Sequence, residues 1–246
     1  MRRTVLVPTL FVAALAAAPQ LAAADTLFGG TFGGFFPKGE GGRVSGDVLN
    51  ETFGVRNGFR TLWDDVGDKE PVKLFSGPAV NGEVLFGLGD FLEAGVGVGF
   101  YTKSRDSFYT DYPEEDGTEI DQTTKLRIVP LSVTVRAFPI GRTVPVQPYV
   151  GGGINFYRWQ YSESGEFIDF SDDSLPVFRD TFTDDGTATG ATLLFGVRIP
   201  VGRTLNVGGE ARWQGGSADL DPALNFAGNK LDLGGWTAAG TVHVRF

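Results

Sequence analysis

The C-terminal stretch KLDLGGWTAAGTVHVRF, residues 230–246, constrains the fold more than any other part of the chain. Trp236, Ala238, Gly240, Val242, Val244 and Phe246 occupy alternate positions, and Thr237, Ala239, Thr241, His243 and Arg245 fill the gaps between them. A period of two makes this a strand with one apolar face and one polar or small face. Ten residues separate Trp236 from Phe246, and at ~3.3 Å per residue and a tilt of ~40° they span a height of roughly 25 Å. That is the lipid-facing band of a membrane-spanning strand, with an aromatic at each border. The edge strand of a soluble sandwich shows the same alternation, so the remaining segments must decide.

They repeat the pattern. Residues 26–37 place Phe28, Gly30, Phe32, Gly34 and Phe36 on one face. Residues 79–88, 91–107, 123–140, 146–161, 186–200 and 204–215 alternate in the same way, which with residues 230–246 makes eight strands. In residues 123–140 the apolar parity switches between Ile128 and Leu131, which predicts a β-bulge near Val129-Pro130. Residues 38–76 show no sustained alternation, and an extra strand pair there would raise the count to ten. The connections run long, short, long, short, long, short, long, so both chain ends fall on the short-turn side. That is the pattern of an antiparallel up-and-down transmembrane β-barrel, and a sandwich gives no reason for it.

Composition supports this. Aromatics make up 13%, too many for a disordered chain, and glycine, 36 of 246 residues, shows neither the collagen period nor the Ser/Gln bias of a disordered tract. After the N-terminus there is no apolar run long enough for a membrane helix. Cysteine is absent, which removes disulfides and thiolate metal sites, and a net charge of −9 argues against a nucleic-acid partner. Residues 1–24 read as a signal peptide: Arg2 and Arg3, an apolar core over 5–18, and Ala22-Ala23-Ala24 before Asp25. Residues 25–246 are then the exported barrel domain.

The segments LEAGVGVGFY, VQPYVGGGINFY and the terminal TVHVRF resemble the OmpA/OmpX/OmpW-type small outer-membrane barrels, the porin-family β-barrel domain. The resemblance implies a bacterial outer-membrane location with both termini in the periplasm. It also implies a monomer with lipid and lipopolysaccharide around it, and Val242, Val244 and Phe246 as the signal read by the barrel-assembly machinery. Unlike in OmpA, no peptidoglycan-binding domain is expected after the barrel. Activity is hardly specified, since the motifs are generic.

Site residues follow from parity. Glu83, Glu93 and Glu210 face inward with Arg136, Arg198, Arg212 and Arg245, and an eight-stranded lumen is only wide enough for side chains to fill. Paired carboxylates and guanidinium forks are therefore expected to plug it, and truncating Arg212 to raise conductance. Trp159, Trp213 and Trp236 are candidates for the aromatic girdle. His243, the sole histidine, has inward parity beside the periplasmic end, the wrong face and end for a lipid-modifying base, so no enzyme activity is expected. The acidic loops around 106–122 and 163–185 lack the ligand ladder of a calcium site. Divalent cations bridging them to lipopolysaccharide are one reading, and a solvated acidic surface is the plainer one. No metal or cofactor site is expected. Two functions stay open: a structural or envelope-interaction barrel without a large pore, and passive transport of small or apolar solutes through a narrow lumen or a lateral opening.

Overall fold

The computed structural model describes residues 25–37, 54–55, 76–113, 117–169, 172–224, 226 and 230–246. The expected signal peptide and most of residues 38–76 lie outside them. Eight strands form a ring: β1 (Thr26–Pro37), β2 (Gly77–Gly87), β3 (Leu92–Pro113), β4 (Glu119–Ala137), β5 (Gln147–Ile168), β6 (Val177–Val201), β7 (Leu205–Gln214) and β8 (Gly235–Arg245). Each is antiparallel to the next, and β1 closes on β8 from Leu27–Arg245 to Pro37–Gly235. β1 also pairs directly with β2, so the ring closes with eight strands. Gly54–Val55 adds only a short ladder outside β3.

The register sets the shape. Starting at Gly235, the paired positions are Gln214, Thr192, Gly153, Thr134, Gly95, Leu85 and Leu27, and the circuit returns to β8 at Arg245, ten residues further on. Ten residues of ~3.3 Å against eight strand spacings of ~4.8 Å tilt the strands by roughly 40°. A residue then climbs about 2.5 Å along the barrel axis.

The outer surface is apolar over one band. Phe28, Phe32 and Phe36 of β1 point outward, Phe32 with 68% of its surface exposed, and Val133, Val150, Leu193, Phe195 and Val242 continue the belt around the ring. Phe100, Phe156, Trp213 and Trp236 mark its upper border and Phe246 its lower one. An apolar exterior of this extent, on a sheet without edges, is what lipid requires. The molecule is a transmembrane β-barrel.

Three expectations are corrected. The acidic stretches read as loops are mostly strand: β5 and β6 stay paired up to Ile168–Val177, and β3 with β4 as far as Pro113–Glu119. The β5–β6 hairpin rises about 25–30 Å above Tyr157, eleven residue steps. Above the lipid both faces meet water, so the ladder continues after the apolar alternation that reveals it has stopped. No bulge occurs at Val129-Pro130, since Val98 pairs with Leu131 and Tyr101 with Ile128 in the same register; the shift between β3 and β4 comes higher, between Phe108 and Pro113. Leu126 and Ile128 face inward because the lumen itself becomes apolar at that level. Finally, Lys230–Asp232 is not the start of β8 but pairs with Ser217–Asp219 in a separate two-stranded ribbon.

Candidate functional site: a lumen closed at two levels

The lower closure is ionic. Arg136 sits at its centre: one terminal nitrogen donates to both oxygens of Glu83 at 2.9 Å and to Glu210 at 3.0 Å, and the other lies 3.5 Å from Glu93. Arg198 grips Glu93 with two parallel bonds of 2.8 Å, a fork geometry that fixes both side chains. Arg212 donates to Glu210 from Nε at 3.0 Å and from Nη2 at 2.7 Å, and the Tyr149 hydroxyl reaches the other Glu210 oxygen at 3.0 Å. All of these side chains are buried, and Glu93 has no exposed surface. Three carboxylates and three guanidinium groups balance in a space where an unpaired charge is costly.

Strand periodicity explains why these residues meet. Glu83, Glu93, Arg136, Arg198, Glu210 and Arg212 come from β2, β3, β4, β6 and β7, all at inward positions, and Glu93 and Arg136 are direct cross-strand partners. Inward glycines leave the room: a Cβ on Gly196 would lie 2.6 Å from the Tyr149 ring and hydroxyl. Aromatic faces complete the closure, with the Arg198 guanidinium 5.2 Å from the Phe138 ring centre and that of Arg136 5.4 Å from Tyr149.

Arg245 does not join this cluster. It stays at the rim, about a third exposed, with Nε 2.9 Å from Asp25. A strand's last residue stands too close to the barrel end to reach the carboxylates further in. Two residues outside the expected set do join. Arg142 reaches back from the β4–β5 connection to Asp25 at 2.8 Å and the Gly89 carbonyl at 3.1 Å, and lies 3.6 Å from Glu93. It fills the space left by Gly87, where any Cβ would collide with its guanidinium. Parity has no meaning in a turn, so nothing in the sequence marks Arg142. The His243 Nε2 lies 2.7 Å from Glu83; its inward parity was the available signal.

The upper closure is apolar. Phe35, Tyr101, Leu126, Ile128, Tyr157, Trp159 and Tyr161 converge inside the barrel, and Ala218, Leu220, Leu231 and Leu233 of the β7–β8 connection pack onto them. The ribbon thus folds into the mouth as a lid of side chains. Trp159 belongs here and not to the girdle: only 3% of its surface is exposed, because it shares inward parity with Tyr157 and Tyr161. Trp213 and Trp236 face outward and are cross-strand partners. Between the closures remains a cavity of about 40 Å³, edged by Phe35, Tyr101 and Ile128 above and Glu210 and Arg212 below, room for a few waters at most.

At the seam, Val242, Val244 and Phe246 all point outward, and the Phe246 ring meets Phe28 edge-on at 5.4 Å. Among the described residues no group of acids or histidine is arranged to hold a metal ion.

Among solved structures, the chain is similar to the outer membrane protein OprG from Pseudomonas aeruginosa, with 11% identity over 91% of this chain and 96% of that one and a TM-score of 0.49. The likeness is one of fold. Neisserial surface protein A aligns at 11% identity over 91% of this chain and 96% of that one, with a TM-score of 0.42. The N-terminal β-barrel domain of Pseudomonas aeruginosa OprF aligns at 14% over 90% and 97%, with a TM-score of 0.37. No family model matches the chain, and no curated protein matches it in sequence. The barrel assignment stands on the closed ring and its apolar belt.

Proposed function

We propose that this chain is a small bacterial outer-membrane barrel with a structural or envelope-interaction role, its termini in the periplasm and its tall acidic hairpins outside. The observation that carries this reading is the double closure of the lumen among the described residues, ionic below and apolar above, with a cavity of about 40 Å³ between the two levels. A barrel filled in this way serves as a rigid pedestal for what stands above the membrane.

The test is single-channel recording on refolded protein. Wild type is expected to give no steady porin-like conductance. Because the closures lie in series, Arg212→Ala alone should not open the tube, and neither should replacing residues 217–232 with a short turn. The two changes together should. Large steady wild-type conductance would refute the closed-lumen reading.

A second reading has one observation in its favour. The apolar lining of the mouth, from Phe35 to Tyr161, suits passage of small apolar solutes. Uptake of such a solute into vesicles by wild-type protein, abolished by Trp159→Asp, would favour it over the pedestal.

A further inference from the structure

The extracellular part of the chain is acidic, yet the first outward row above the lipid band on β4 and β5 is not. Arg127 and Lys125 follow Val129 on the outer face of β4, and Arg158 follows Phe156 on β5. Arg158 pairs with Val129 and Arg127 with Gln160, so the two arginines are diagonal neighbours on one face, about 7–8 Å apart at the backbone. Lys125 stands one outward position above Arg127. At about 5 Å of height per two residues, all three lie within roughly two such steps of the Phe100–Phe156 border.

Their partners differ. The Arg158 guanidinium is ion-paired to Asp185 on β6. Lys125 and Arg127 are exposed and make no ion pair with any described residue; Arg127 lies over the Phe100 ring at 5.4 Å from its centre. The nearby Asp106 on β3 is taken by the Thr123 hydroxyl at 2.8 Å. In a chain with 30 acidic and 21 basic residues, two cations without an ion pair among the described residues, beside a third and directly above an apolar wall, are a local reversal of the prevailing charge.

We infer that Lys125, Arg127 and Arg158 form a docking site for the phosphate of an anionic outer-leaflet glycolipid, whose acyl chains lie against Phe100, Leu131 and Phe156 below. The inference rests on the outer-membrane reading above. The chemistry is that of phosphate recognition by clustered Lys and Arg at a membrane surface, and the apolar wall under the cations supplies the other half of the lipid. The Arg127 stack on Phe100 holds the guanidinium at the border, where a phosphate sits. Asp185 competes for Arg158 and so limits the strength of the site.

The test uses the full barrel refolded into phosphatidylcholine nanodiscs that contain lipid A, with lipid retained per barrel counted by native mass spectrometry. Wild type should retain lipid A in preference to its dephosphorylated form. Lys125→Gln with Arg127→Gln should lower retention by about 25-fold, roughly fivefold for each charge removed. Asp185→Asn, which frees Arg158, should raise it. Arg203→Gln, an exposed cation at the other end of the barrel, should leave it unchanged. Equal retention by wild type and the double variant would overturn the site, as would equal retention of dephosphorylated lipid. Displacement by millimolar inorganic phosphate would show a generic anion site and overturn the lipid assignment. A chain that fails to enter the nanodisc at all would overturn the membrane reading, and this inference with it.

Discussion

At the scale of single residues, the same charge behaves differently above and below the mouth. Below it, each glutamate is met by a guanidinium. Above it, Glu163 is buried, and among the described residues only the Tyr161 hydroxyl, 2.7 Å away, donates to it. Burial dominates and pushes its carboxyl above the usual value of 4.5. The folded hairpin therefore binds a proton that the unfolded chain has released. Its stability is penalised at pH above the raised value, recovers as pH falls through that value, and stops changing near 4.5. Glu163→Gln should remove this dependence and slow amide exchange at Tyr161 and its neighbours at neutral pH. The check is hydrogen exchange of the β5–β6 hairpin at neutral and mildly acidic pH. If wild type and variant show the same pH profile, burial of Glu163 is not what limits the hairpin. Asp172 is the contrast: fully exposed, it is lowered by bonds from the Ser174 amide and hydroxyl.

At the scale of elements, legibility followed the solvent. Inside the lipid band each strand has one apolar and one polar face, so β1, β2, β5 and β8 could be read almost residue by residue, and the inward Glu and Arg with them. Above the band, β3 to β6 have water on both sides, and their upper halves look like loop. Within the mouth the lumen is apolar, so Leu126 and Ile128 imitate a change of parity, and Trp159 imitates a girdle residue. Arg142 sits in a turn, where no periodicity exists to report it. The outward face of β8 gives a graded prediction. Aspartate on the lipid face costs most toward the midplane and little at the border. Val242→Asp should therefore reduce the heat-modifiable folded fraction more than Val244→Asp does, and deletion of Phe246, which removes the ring packed on Phe28, should reduce it too. Gel-shift assay of outer-membrane fractions reads all three. Wild-type levels throughout would remove the terminal strand from any part in assembly.

At the scale of the whole molecule, the strands are of unequal height. β3 to β6 rise well past the lipid, whereas β7 ends at Gln214 and β8 begins at Gly235. The tall side carries the exposed tip at Leu175, Val177 and Phe178. Protease added outside intact cells should cut in the β5–β6 connection, around Asp172–Leu175. The turns at Gly89-Asp90 and Gly202-Arg203 should stay intact until the membrane is broken. Cutting at those turns in sealed cells would invert the orientation.

The seam between β1 and β8 also dictates when the ionic cluster of the lumen is complete. Leu27 pairs with Leu85 on one edge, but its other edge waits for Arg245. Glu83 meets His243 160 positions later, and Glu93 meets the Arg198 fork 105 positions later. A chain that folds from its N-terminus therefore holds β1 with one edge open until the last strand is present. Arg136 can meet Glu83 and Glu93 once β4 is in place, but the fork to Arg198, the Glu210 contacts and the His243 contact complete the ionic cluster only with β6, β7 and the closing strand. Contacts of such long sequence separation are slow to form.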